Sequence, residues 1–203
     1  MNERLDLVVL VADADAEWTL RTLLEKRQGA LQIRPVRSKL IRDPGRDAGV
    51  FLNAPTTLRS YLTVADHVLV MLDREGSGRE HKFSAEEMES DLEQRLQAAG
   101  WADAVVVVLD PELEVWVWSR SPHVAAALGL SPEELTLVLA QFAQNPQGKP
   151  ERPKEAMLAA LRQSKLPHSS RIFQELAEKV SLRPSERAFD RLRTTLQRWF
   201  EHG

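Results

Sequence analysis

Three uninterrupted apolar runs constrain this chain more than anything else in it. Residues 7–12 read LVVLVA, residues 69–72 read LVML inside 67–72, and residues 104–109 read AVVVVL. A strand facing water on one side alternates apolar and polar residues. Runs without that alternation are what strands buried on both faces need. Helical patterns separate them. Residues 17–27 place Trp18, Leu20, Leu23 and Leu24 on one side, and 55–65 start at a proline. A third helix follows Ser84, whose N-cap is completed by Glu87, and runs to a stop at Gly100. Strands alternating with helices predict an α/β fold: a Rossmann-like, mainly parallel sheet flanked by helices.

Each apolar run also ends in acid. Asp13, Asp15 and Glu17 follow the first, Asp73 and Glu75 the second (with Gly76 and Gly78 just beyond), and Asp110, Glu112 and Glu114 the third. In open α/β sheets ligands gather at the carboxyl ends of the strands. Carboxylates there are the oxygen donors a hard divalent cation takes. Acids at loop starts also cap helices, and Asp15 and Asp110 can be read that way. The acidic run from Glu86 to Glu93 reads as a solvated helix face.

With no cysteine among 203 residues, disulfides and thiolate metal sites are excluded. The opening MNERLDLVVLVADADAE is too short in apolar residues and too acidic for a signal peptide or membrane span, so we expect no membrane contact and a cytoplasmic protein. Charge is unevenly spread. Residues 1–148 hold 15 basic and 23 acidic side chains, a net −8; residues 149–203 hold 12 and 7, a net +5. The basic end is a candidate for contact with something anionic.

Between the first two runs, 31–36 (LQIRPV) reads as a short edge strand weakened by Pro35. The polar stretch 34–49 reads as a loop, and its Arg37, Lys39 and Arg42 are placed to follow the phosphates of a nucleic acid. Residues 112–118 are ambiguous: Asp110-Pro111 favours a helix, which we expect, while VWVW has the composition of a strand. Helices are then expected over 122–128, 132–142, 153–162, 169–180 and 185–200. The proline-rich 144–153 reads as a linker between an α/β domain over 1–143 and a basic helical extension over 154–203 packed on it. The last helix carries an apolar stripe of Phe189, Leu192, Leu196, Trp199 and Phe200. That stripe either closes the core or, through Arg198 and Trp199, seats a partner or a second copy of the chain.

LVADADAEWTLRTLL followed by LVMLDREGSG resembles the Toprim catalytic domain of topoisomerases, primases and overcoming-lysogenization-defect nucleases. VVVVLDPELEVWVWSRSPHVAAALG, RPKEAML, SSRIFQELAEKV and FDRLRTTLQRWF extend the resemblance to an uncharacterised bacterial Toprim-like family found beside ATPases in anti-phage defence clusters. The resemblance implies a Toprim-like nuclease that uses Mg²⁺ or Mn²⁺ on nucleic acid, DNA foremost. It assigns acid/base chemistry to Asp13 with Glu17 four residues on, and metal binding to Asp73 and Glu75 with Asp13. Glu112 and Glu114 match a further acidic pair. The chain departs from the family pattern in having Asp13-Ala14 for Glu-Gly and Glu75 for the second Asp. Two other readings stand beside it: a non-catalytic subunit that docks on an ATPase, and a receiver-like domain with Asp73 as phospho-acceptor.

Overall fold

The structure, a computed structural model, describes residues 4–119, 121–180 and 186–201. Within them the three apolar runs form β1 (Leu5–Val11), β3 (Ala65–Asp73) and β4 (Ala104–Leu109), and a fourth strand, β2, spans Ser38–Arg42. The sheet is parallel throughout, in the order β2-β1-β3-β4. The chain therefore runs outward from β1 to β2 and then crosses to β3 on the other side. In Rossmann-like sheets that reversal opens a crevice beyond the ends of the two central strands. Register puts all four ends at one level: Val11 lies beside Arg42 and Met71, and Asp73 beside Leu109.

Helices cover both faces, as the fully buried runs require. Val8, Leu10, Val68, Val70, Val106 and Val108 pack under α3 (Arg46–Thr57) and α4 (Ala85–Ala98). Leu7, Val9, Val11, Leu69, Met71, Val105 and Val107 lie on the other face, in one cluster with the buried side of α1 (Ala14–Lys26). One helix cannot cover that face. The rest is closed by α7 (Pro153–Ser164), α8 (Ser170–Lys179) and α9 (Arg187–Trp199), while the short α5 (His123–Ala127) and α6 (Pro132–Leu139) pack beside them. A single apolar cluster thus runs from Leu7 to Phe200. The guanidinium of Arg27, at the end of α1, donates to the carbonyls of Ala177, Glu178 and Val180 at the end of α8 and fastens the two helices together.

Four sequence expectations are corrected. Residues 31–36 are not a strand: a four-residue helix, α2 (Gln28–Leu31), ends there at Gln32 with φ 60°, and Ile33 makes only an isolated bridge to Glu201. The strand lies instead inside 34–49, expected as loop. As an edge strand with half-exposed side chains it lacks the apolar run that marks the others. The helix assigned to 55–65 is α3, nine residues earlier, with Pro55 in its last turn; the chain then makes one 3-10 turn at Arg59–Tyr61. Over 112–118 neither the helix nor the strand forms, but a 3-10 turn, Leu113–Trp116. The capping box of Ser84 and Glu87 is present as expected. Of the last expected helix, residue 185 lies outside the described residues.

The free edge of β4 is closed by ion pairs. Glu93 and Glu89 of α4 accept from the N–H groups of Val106 and Val108, at 2.8 and 2.9 Å. Arg191 and Arg187 of α9 donate to the carbonyls of the same two residues, at 2.8 and 3.1 Å. Arg187 also grips both oxygens of Glu89, and Arg191 bonds Glu93. Each Arg–Glu pair offers one donor and one acceptor to the strand, as a neighbouring peptide would. The acidic run of α4 is therefore only in part a solvated face, for Glu89 is buried.

Candidate metal centre and cleft

The acidic strand ends converge. Asp73, the last residue of β3, is half-buried. Its N–H donates to Asp47 Oδ1 at 2.8 Å, and its own Oδ1 accepts from the N–H of Leu113 at 2.9 Å. That second bond pulls the turn after β4 across the end of β3 and brings Glu112 and Glu114 with it. Ligand oxygens of Asp73, Glu112 and Glu114 all lie within 4.8 Å of one another. Glu112 Oε1 accepts from the Lys154 N–H at 3.1 Å. The Lys154 ammonium, at the start of α7, is 3.4 Å from Glu112 and 3.8 Å from Glu114.

The electrostatics are those of crowded carboxylates. Burial, then the charges of Asp47, Glu114, Asp13 and Glu112, holds Asp73 well above the usual aspartate range. Burial pushes Glu114 up to about 7, with Lys154 opposing and Glu112 adding to it. Glu112 and Asp47 are raised as well, burial again leading. Lys154 is disfavoured as a cation by burial, yet Glu114, Glu112 and Asp73 outweigh this and raise its pKa.

Of these residues Glu114 and Lys154 line an open cleft of about 910 Å³ at the strand ends, together with Asp13, Asp15, Glu17, Arg42, Arg46 and His168 among others. Asp13 caps α1, its Oδ1 accepting from the N–H of Ala16 at 2.9 Å. Glu17 is held between Arg21 at 2.8 Å and Arg42 at 3.0 Å. His168 Nε2 lies 3.3 Å from Asp15, whose carboxyl burial raises against the pull of Ser170 and His168.

Of the expected site residues, Asp73, Glu112 and Glu114 come together, and Asp13 stands near enough for its charge to act on Asp73. Glu75 points to solvent, held by a backbone bond from its N–H to Pro111 O, and is not one of the three clustered carboxylates. Of the expected basic contacts, Arg42 lines the cleft. Arg37 lies just before β2, at the far end of the sheet, beside Asp6; Lys39 rests on the Tyr61 ring. Arg198 and Trp199 both bond Asp103, and Phe189, Leu192, Leu196 and Phe200 of the final stripe are buried in the core. Asp47, Lys154 and His168 were missed. Each is a single polar residue at a helix start or loop, and the only signal was the DPGRD turn and the RPKEAML segment.

No family model, curated protein or solved structure matches this chain.

A divalent ion fits the donor set. At Mg–O bonds near 2.1 Å, ligand oxygens of one ion stand roughly 3 to 4 Å apart, so small side-chain rotations close a spread of 4.8 Å. All three donors are carboxylates, as a hard cation prefers, and added positive charge would relieve the repulsion that raises their pKa values.

Proposed function

We propose that this chain is a metal-dependent phosphodiesterase acting on nucleic acid, with Mg²⁺ or Mn²⁺ held by Asp73, Glu112 and Glu114. One observation carries the reading: three carboxylates converge at the end of β3, where the strand order reverses, beside a cleft that also presents Lys154, Arg42, Arg46 and His168. A cleft lined by both signs of charge suits an anionic substrate whose reaction needs a cation. When bound, the ion would polarise a phosphoryl oxygen and lower the pKa of a water.

The chain's own groups have separable tasks. Lys154 keeps a positive charge at the cleft wall, where it steadies negative charge developing on the phosphate. Asp13 commits Oδ1 to capping α1, so Oδ2 is the oxygen left to accept a proton. Asp15 orients His168, whose ring faces the same cleft and offers a second site of proton transfer. Glu17, tied to Arg21 and Arg42, acts by holding Arg42 in place.

The test is cleavage of plasmid and single-stranded DNA with Mg²⁺ or Mn²⁺, together with calorimetric titration of Mn²⁺. Asp73→Asn keeps an acceptor for Leu113 and should fold normally, yet lose metal binding and at least 10²-fold in rate. Equal cleavage by the wild type and by both Asp73→Asn and Glu114→Gln would overturn the assignment.

A further inference from the structure

The turn from β2 into α3 carries a cation whose placement the fold does not require. Arg46 adopts φ 53°, in the left-handed region that residues other than glycine avoid. The glycine of this turn is one position earlier. At Gly45 a Cβ would come within 2.9 Å of Gly49 Cα and 3.2 Å of Asp43 Oδ1, so its glycine serves close packing and leaves the left-handed position to an arginine. The conformation is held from below. Buried Asp43 accepts from the Gly45 N–H at 2.8 Å, its carbonyl accepts from the Arg46 N–H at 3.2 Å, and its carboxylate lies where any side chain at residue 49 would stand.

The side chain so presented is exposed and lines the cleft. Among the described residues its guanidinium makes no hydrogen bond or ion pair, whereas the other cleft cations are engaged: Arg42 by Glu17, Lys154 by Glu112 and Glu114. The next residue, Asp47, is bonded to the N–H of Asp73. The backbone of Arg46 is thereby held at a set distance from the acidic cluster by a chain of backbone and carboxylate bonds.

We infer that Arg46 is a phosphate clamp: it takes a phosphodiester of the substrate strand beside the one cleaved, with the planar fork that suits phosphate oxygens. The inference rests on the nucleic-acid reading above and deepens it, since it places the strand between the start of α3 and the acidic cluster. A left-handed site that keeps arginine where glycine is less strained is explained when the side chain has a use in the cleft.

Arg46→Gly separates the two roles, because glycine relaxes the backbone while removing the clamp. Binding of a fluorescein-labelled 20-nucleotide DNA strand would be followed by anisotropy in EDTA over a range of salt, alongside thermal unfolding. The variant should melt at the same or a higher temperature, bind about tenfold more weakly, and lose about one from the slope of log affinity against log salt. Arg46→Lys should keep the slope, and Arg37→Ala, at the far end of the sheet, should leave both slope and affinity unchanged. Unchanged binding by Arg46→Gly, or an equal loss in Arg37→Ala, would overturn the clamp while leaving metal-dependent cleavage standing. A wild type that neither binds nor cuts the strand would remove the nuclease reading, and the clamp with it.

Discussion

At the scale of single residues, the carboxylates at the strand ends are held against their own repulsion, which makes the metal-free protein sensitive to pH. Glu114 is raised from 4.5 to about 7, so between those values the folded chain holds a proton the unfolded chain has released. Stability from this group is complete below pH 4.5 and falls as pH rises through 7. Glu114→Gln should therefore match the wild type near pH 4.5 and exceed it by up to about 3 kcal/mol at pH 8 in EDTA, at 1.36 kcal/mol per unit. Urea unfolding at several pH values checks this, and a constant difference across the range would refute it. Mn²⁺ affinity should rise through the same window, because the ligand must first lose its proton. Asp73 was legible in the sequence because it ends an apolar run. The partners that shape its chemistry, Asp47 and Lys154, lie 26 residues before and 81 after it in the chain, and no local pattern links them to it.

At the scale of elements, the outer edge of β4 shows how a strand edge that no other described strand pairs is finished by side chains. Removing Arg187 leaves Glu89 buried beside an unpaired carbonyl of Val108. Arg187→Ala should cost about 2 kcal/mol, less than for a fully buried pair because the arginine is itself part-exposed. The amides of Val106 and Val108 should exchange faster with solvent in Glu93→Ala and Glu89→Ala, while those of β1 keep their protection. Uniform acceleration across the sheet would mean global destabilisation and not an opened edge. Buried strands and capped helices were readable from their runs and caps. The edge strand β2 and the turn after β4 were not, since a half-exposed strand carries no apolar run and a 3-10 turn has no period of its own.

Across the whole molecule, the uneven charge resolves into internal complementarity. Basic residues of the C-terminal part, Lys154, Arg187, Arg191 and Arg198, pair with Glu112, Glu114, Glu89, Glu93 and Asp103 of the part before it. Lys149, within the expected linker, is buried, bonds Val115 O and pairs with Glu186. The C-terminal helices supply most of the cover on one face of the sheet, so Leu192→Ala should cost about 3 kcal/mol, as truncating a buried leucine does. A chain ended at residue 143 should lack a cooperative unfolding transition, because Leu7, Val9 and Leu69 would lose the helices packed on them. Denaturant unfolding tests both, and a stable two-state fragment 1–143 would count against this division of the core. Among the described residues no helix is long and apolar enough to cross a membrane.

The sequence by itself determined the α/β class, three of the four strands and the positions of the acids at their ends. Each is written in contiguous residues, where burial demands an unbroken apolar run and a cap demands a particular side chain at a particular offset. Tertiary structure alone decided the rest. It placed Glu112 and Glu114 against Asp73 and left Glu75 in solvent, because the bonds from Leu113 N–H to Asp73 and from Glu75 N–H to Pro111 O set where the turn after β4 crosses the sheet. It also turned the stripe of α9 inward, because the face of the sheet that α1 leaves open offers more apolar surface to bury than solvent does.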